Sequence, residues 1–360
     1  MKVKLESFLQ EVSEKTTENN QYPVLTSSKA GLYLQSDYFN KQVASKDNTG
    51  YKIIKRGQFT YRAMSDTGEF FPNMLDCADI GIVSPAYPVF EIAKPIIIPD
   101  FLKYYFKSNE FQQSIASFAQ GSTRTSIKYG KLKTVLMELP DLKEQQKYIE
   151  ILDTAQKIIN DRKRELEKLD ELIKARFVEM FGTLDNPSQE FAKATLKELC
   201  NKITDGKHGG CKAEEGTERY FVGAREIYDD EVHYNTAPEI NIDEFEKDYK
   251  RCNIEIGDFL IVNTGATIGK SAIATDERTE HTLLQKSVAL LKVKKEVLNP
   301  VFLKWCYRVN TQMYIVKSAS AQPNLLLSKI NATVIYVPNI ELQNQFVSFV
   351  EQVDKSKLFS

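Results

Sequence analysis

Long apolar runs are missing from this chain. Nothing in its 360 residues approaches the roughly 20 consecutive apolar positions that a membrane-spanning helix requires, and the N-terminus carries no signal-peptide pattern. Cysteine is scarce: Cys77, Cys200, Cys211, Cys252 and Cys306 are odd in number and widely spaced. That argues against a disulfide framework and for reduced thiols in a cytoplasm. An excess of either charge is missing too. With 48 Lys and Arg against 49 Asp and Glu, the molecule as a whole is no general polyanion binder. A nucleic-acid surface here has to come from local segregation of charge or be shared with a basic partner. What is present, 42% hydrophobic and 27% charged residues, describes a globular protein, and the length suits two domains better than one core.

Glycine and proline are absent from one stretch of forty residues, Leu142 to Phe181, which reads as a single helix rising ~60 Å. Leu152, Ile159, Leu166, Ile173 and Met180 recur at every seventh position, while Ala155, Arg162, Leu169 and Arg176 fill the second seam position. Strong and weak seam residues alternate, so the helix is expected to need a partner helix. The expected contact seam comprises Ile149, Leu152, Ile159, Leu166, Leu169, Ile173 and Met180. Nine acidic and nine basic side chains lie between Lys143 and Phe181, with Asp153–Lys157 and Asp170–Lys174 spaced for i,i+4 pairs. Such a rod is a spacer or a protein-contact surface, not a phosphate-binding helix. Taken alone, the stretch also suits a long core helix of one large domain; its flanks argue otherwise.

Residues 1–141 mix short β-like runs with Gly and Pro turn signals, then a helix pattern from Asp100 through Ala119 and a closing strand over Leu132–Leu139. From Lys193 the pattern restarts. KVKLESFLQEVSEK matches KATLKELCNKITDG, and YKIIKRGQFTYR matches YKRCNIEIGDFLIV, pairing Gly57 with Gly257. DFLKYYF matches VFLKWCY, and ELPDLKEQQKYIEIL matches YVPNIELQNQFVSFV, pairing Pro140 with Pro338 and Gln145 with Gln343. Four blocks keep their order at an offset of about 200 residues, which marks a duplication of a domain plus a helix.

Three local motifs invite chemistry that their spacing does not support. Gly265 and Gly269 in TGATIGKS enclose three residues, where a nucleotide phosphate loop needs four before Gly-Lys, and strand-like runs flank them. That segment is either a turn presenting Thr267 and Lys270 to a phosphate or base edge, or a plain hairpin. Cys200, His208 and Cys211 fit no zinc spacing and lack a fourth ligand; DGKHGG at 205–210 reads as a flexible polar loop from which Lys207 and His208 reach outward. Asp185-Asn186-Pro187-Ser188 lacks the second Pro and the aromatic of an amino-methyltransferase site and reads as linker.

GIVSPAYPVF at 81–90, GDFLIVNTGATIGKSAIA at 257–274 and PDLKEQQ at 140–146 resemble recurring phrases of the DNA-specificity (S) subunits of type I restriction–modification systems. So does the layout, over nearly the whole chain. The resemblance implies an α/β (α+β) fold with two homologous target-recognition domains separated by long coiled-coil-type helices. The expected boundaries are 1–141, a spacer helix 142–182, a linker 183–192, a second domain 193–339 and a short C-terminal helix 340–360. It implies a non-catalytic subunit that reads a bipartite target in double-stranded DNA, one half per domain. It also implies recruitment of adenine-methylating modification subunits and then restriction subunits, with adenosylmethionine and ATP/Mg on those partners and no cofactor or metal site here. The family's second helix usually matches its first in length and pairs antiparallel with it; about twenty residues after Pro338 depart from that. A coiled-coil interaction scaffold, and the recognition half of a split methyltransferase or nuclease, remain as alternatives.

For base readout the useful donors are Arg and Lys toward guanine, and Asn and Gln toward adenine. Arg62, Arg124 and Lys128 in the first copy, and Lys207, Arg225, Lys270, Gln322 and Asn324 in the second, are the candidate DNA contacts, with Lys29 a weaker one. The helix starts at Leu142 with Gln145 and Gln146, and at Ile340 with Gln343, are expected to meet the modification subunits.

Overall fold

Lys2–Lys4 pairs antiparallel with Leu136–Glu138, so the first domain is closed by its own two ends. Between them lies a four-stranded antiparallel sheet in the order Leu9–Val12, Val89–Ile92, Phe59–Thr60, Asn73–Met74. The computed structural model describes residues 2–38, 47–118, 125–313 and 324–359. The chain forms two compact units, 1–160 and 161–360, that divide within the long helix.

In the first unit, Phe59 and Phe90 stack at 5.7 Å on the sheet, and Phe106 meets Phe59 edge-on at 5.8 Å. These rings belong to a core that also takes in Phe111 and Ile115. The helix pattern from Asp100 breaks into Pro99–Tyr105 and Asn109–Ala116. Ser108 causes the restart: its Oγ accepts from Phe111 N at 3.2 Å, the capping bond that competes with continuing a helix through serine. The closing strand is shorter than its pattern because Tyr129–Leu132 forms a helical turn.

The second unit repeats the plan. Ala192–Thr195 pairs with Val334–Val337, and the sheet order is Cys200–Asp205, Val288–Val293, Phe259–Val262, Ser271–Ile273. Gly57 and Gly257 take the same left-handed turn (φ +85° and +95°), each donating to the residue just past the sheet's last strand, at Leu75 O and Ala274 O. The paired glutamines match atom for atom. Gln145 Oε1 accepts from Ile98 N at 2.8 Å, and its Nε2 donates to Ile96 O at 3.0 Å and Pro140 O at 2.9 Å. Gln343 Oε1 accepts from Asn299 N at 2.9 Å, and its Nε2 donates to Val297 O at 2.9 Å and Pro338 O at 2.8 Å. Both side chains are 0% exposed, which corrects the expectation that they meet a partner subunit; Gln146 alone of the three is exposed.

The long helix runs Leu142–Phe181 and the closing helix Ile340–Phe359. Asp141 Oδ1 caps the first by accepting from Glu144 N at 2.8 Å, and Asn339 Oδ1 caps the second by accepting from Leu342 N at 2.8 Å. Within the first unit, Ile149 is buried and Asp153 accepts from Tyr104 Oη at 2.5 Å. Within the second, Ile173, Phe177 and Phe181 are fully buried, and the rings of Phe177 and Phe181 meet Phe302 and Phe346 at 5.0–5.7 Å. The closing helix lies antiparallel to residues 162–181: Phe346 meets Phe177, Phe349 lies 6.0 Å from the Arg176 guanidinium, and Lys357 binds Asp170 at 2.8 Å. Arg162 donates to the Lys357 carbonyl. Asp153 and Asp170 thus find tertiary partners instead of the i,i+4 lysines. Among the described residues no helix is long and apolar enough to cross a membrane.

Candidate nucleic-acid interface

In the second unit several strands end at one rim. Val262 faces Val288 and Asp205 faces Ala289 across the antiparallel sheet, while Val222 lies beside Leu284 in a parallel pair. The connections leaving these positions, 206–210, 223–226, 263–270 and 285–287, are therefore neighbours despite their distance in sequence. Hydrogen bonds stitch them together. Lys207 N donates to Leu284 O at 2.7 Å, Lys286 N to Lys207 O at 2.9 Å, and Asn263 N to Ser287 O at 3.0 Å. Ala224 N donates to Ser287 Oγ at 3.2 Å, and Thr264 bridges to Asn324. A groove of about 410 Å³ opens there, lined by Lys207, Thr264, Gln285, Lys286, Ser287 and Asn324.

The rim's charges sort into spent and free. Arg225, Lys270 and Lys286 are exposed, and none has a side-chain partner among the described residues. Lys207 is spent: its ammonium lies 2.6 Å from Asp248 and 3.4 Å from Glu244, and the Asp248 bond foremost holds its pKa above the usual lysine value. Its backbone is bridged to Gln285, so it is pinned and not carried on a flexible loop. The 263–270 turn joins the strands Phe259–Val262 and Ser271–Ile273, closed by Gly269 N to Val262 O and Val262 N to Lys270 O. Lys270 ends that turn.

The first unit has the corresponding rim, because Val89 faces both Val12 and Thr60. A cleft of about 790 Å³ opens beside it, lined among others by Lys29, Tyr51, Arg62, Met64, Asp66 and Tyr87. Arg62 lies 3.7 Å from Asp66, and Lys29 is paired with Glu69 at 3.0 Å. Burial pushes the Tyr87 phenol up, with the Arg62 charge opposing. Lys128 is exposed and is brought to this side by Ile127 N donating to Ala63 O at 3.0 Å. The ladder of Met64–Ser65 with Thr125–Ser126 is the counterpart of the Thr264–Asn324 bridge. Arg124 and Gln322 lie outside the described residues.

Burial pushes the Cys200 thiol up to about 12, and among the described residues no group of three or more His, Cys, Asp or Glu could hold a metal ion. Sequence reasoning missed Gln285 and Lys286. The polar triplet between TLL and VALLKV was a turn signal, but nothing local marks which of its side chains stays unpaired.

Of the seam positions, Leu169, Ile173 and Met180 join the second unit's core, whereas Leu152, Ile159 and Leu166 are 40%, 49% and 37% exposed. Ile151 and Ile158 are exposed beside them. Within the first unit, Tyr148, Leu152 and Ile159 thus leave exposed apolar positions along the helix, and within the second Leu166 stays partly exposed beside the closing helix.

The family model of the type I restriction modification DNA specificity domain matches the chain twice, over residues 6–168 and 188–358. Among solved structures, a chain from a study of complex assembly and conformational transition of the type I R-M system aligns over 99% of this chain and 90% of its own. Its identity is 15% and its TM-score 0.55, a likeness of fold. The type I restriction–modification S subunit from M. genitalium aligns with 16% identity over 99% of this chain and 90% of that one, TM-score 0.49. The HsdS subunit from Thermoanaerobacter tengcongensis aligns with 15% identity over the same shares, TM-score 0.38. No curated protein matches the sequence.

Proposed function

The chain belongs to the type I restriction–modification DNA-specificity family, and from that premise we propose that its two rims each read one half of a bipartite target in double-stranded DNA. The subunit recognises DNA and is not itself a catalyst. The observation that carries the bipartite reading is the repetition of one domain down to the same buried glutamine clamp and the same bridged rim. Two similar but unequal readers suit two unequal half-sites. The exposed cations Lys128, Arg225, Lys270 and Lys286 suit phosphate contacts that set register, with Arg62, Arg124, Gln322 and Asn324 as further donors to phosphates or base edges.

Adenine-methylating modification subunits dock, in this reading, on the exposed helix positions Leu152, Ile159 and Leu166, and restriction subunits join that complex. Adenosylmethionine and ATP/Mg act on those partners, in the cytoplasm. The test is to express the full chain with its modification subunits in cells without adenine methylation and to map the methylated adenines. A motif of two short specified halves separated by a fixed run of unspecified base pairs is expected. A continuous site, or salt-sensitive binding without sequence preference, overturns the bipartite reading and leaves an interaction scaffold.

A further inference from the structure

We infer that Gln285 is a base-reading residue of the second unit and that Gly223 sets the plane of its amide. This rests on the reading of the rim as a DNA interface. Gln285 sits at the bend between the strands Thr282–Leu284 and Val288–Val293. Its backbone is held at both ends, with N donating to Val222 O at 2.8 Å and O accepting from Val288 N at 2.9 Å. The side chain is half-buried, yet among the described residues its carboxamide neither donates nor accepts a hydrogen bond. Unlike the fully buried amides of Gln145 and Gln343, which are paired within the chain, this one keeps its donor and acceptor for a ligand.

Gly223 explains how the amide is held without a polar partner. A Cβ at position 223 would fall 2.4 Å from Gln285 Oε1 and 2.6 Å from its Cδ, so the amide lies directly against the Gly223 backbone. The turn carrying Gly223 is itself fixed, its N–H donating at 2.8 Å to the buried Glu226 carboxylate. Gln285 lines the groove, and its amide carries an acceptor and a donor side by side. That is the pattern that pairs with N7 and N6 of adenine in the major groove. Arg225, two positions after Gly223, and Lys286, next to Gln285, are exposed and have no side-chain partner among the described residues, which suits them to neutralising phosphates. The ligand is an A·T base pair of the half-site read by the second unit.

The experiment uses the full chain with its modification subunits and maps the methylation motif of Gln285→Ala, Gln285→Glu, Gly223→Ala and Lys286→Ala. Gln285→Ala is expected to relax one position of one half-site, cutting its discrimination roughly 10- to 100-fold, while every other position is kept. Gln285→Glu, which can only accept, should turn that position toward cytosine, and Gly223→Ala should relax the same position by displacing the amide. Lys286→Ala should weaken binding to all sequences alike and leave the motif intact. An unchanged motif in Gln285→Ala, or a uniform loss at all positions, overturns the inference. If the unaltered protein yields no bipartite motif, the failure belongs to the functional reading instead.

Discussion

At the scale of single residues, the two buried glutamines are the most informative side chains in the chain. Each amide satisfies one backbone N–H and two carbonyls at the point where a helix leaves its domain. Gln145→Ala strips partners from Ile98 N, Ile96 O and Pro140 O at once, at a cost of about 1–3 kcal/mol. Gln343→Ala should cost about the same, because its three bonds are the same. Urea denaturation of the full chain checks this, and a loss near zero for either would mean that water replaces the amide there. The pairing of these positions was legible in the repeat, but their direction was not. A glutamine in the first turn of a helix looks solvent-facing until the carbonyls of Ile96 and Val297, more than forty residues earlier, are known to reach it. Lys207 shows the same limit: its acidic partners Asp248 and Glu244 sit on the helix Ile242–Tyr249. Only the fold brings that helix alongside.

At the scale of elements, the heptads marked the helix and the need for a partner, but not where the partner would lie. A straight helix drifts about 20° per seven residues against a strict repeat, so the covered face passes from Leu169 and Ile173 onto Phe177 and Phe181. Phe177→Ala should therefore cost about 3–5 kcal/mol, read by thermal unfolding. Ile159→Glu and Leu166→Glu alter exposed positions and should change stability by no more than about 0.5 kcal/mol. If these positions form the docking surface, both should nevertheless abolish co-purification with the modification subunit; full retention would mean the seam serves another end. The Asp170–Lys357 tie adds a pH signature. Burial raises the Asp170 pKa, but the Lys357 bond and the Arg308 charge outweigh it, and the net value lies below the usual one. Its stabilisation is thus present above the unfolded carboxyl pKa of about 4 and is lost as pH falls through the folded value. The carboxylate is 41% exposed, so the effect is below about 1 kcal/mol. The difference in urea midpoint between the parent and Asp170→Asn should be full at pH 7 and fade below about pH 4.

At the scale of the whole molecule, the duplication was the most legible feature, because four ordered blocks survive in the sequence while the rim loops between them have diverged. Its physical consequence is that each unit builds its own apolar clusters. Among the described residues, the largest in the first lies between Leu5 and Leu139 and includes Phe59, Phe90 and Phe106, and the largest in the second lies between Ile173 and Val353 and includes Phe259, Phe302 and Phe346. Phe90 is fully buried and meets Phe59 at 5.7 Å and Tyr129 at 5.4 Å, so Phe90→Ala should cost the first unit about 3–5 kcal/mol. Hydrogen exchange on the full chain should then show protection lost over Leu9–Val12 and Val89–Ile92 and kept over Cys200–Asp205 and Val288–Val293. Phe259→Ala, in a ring pair with Tyr307 at 5.6 Å, should produce the reverse pattern. Units that fold on separate cores can diverge independently, so that, if the proposed bipartite reading holds, each half of the target can change without the other. Joint loss of protection in both variants would make the two units one cooperative body and remove the basis for that independence.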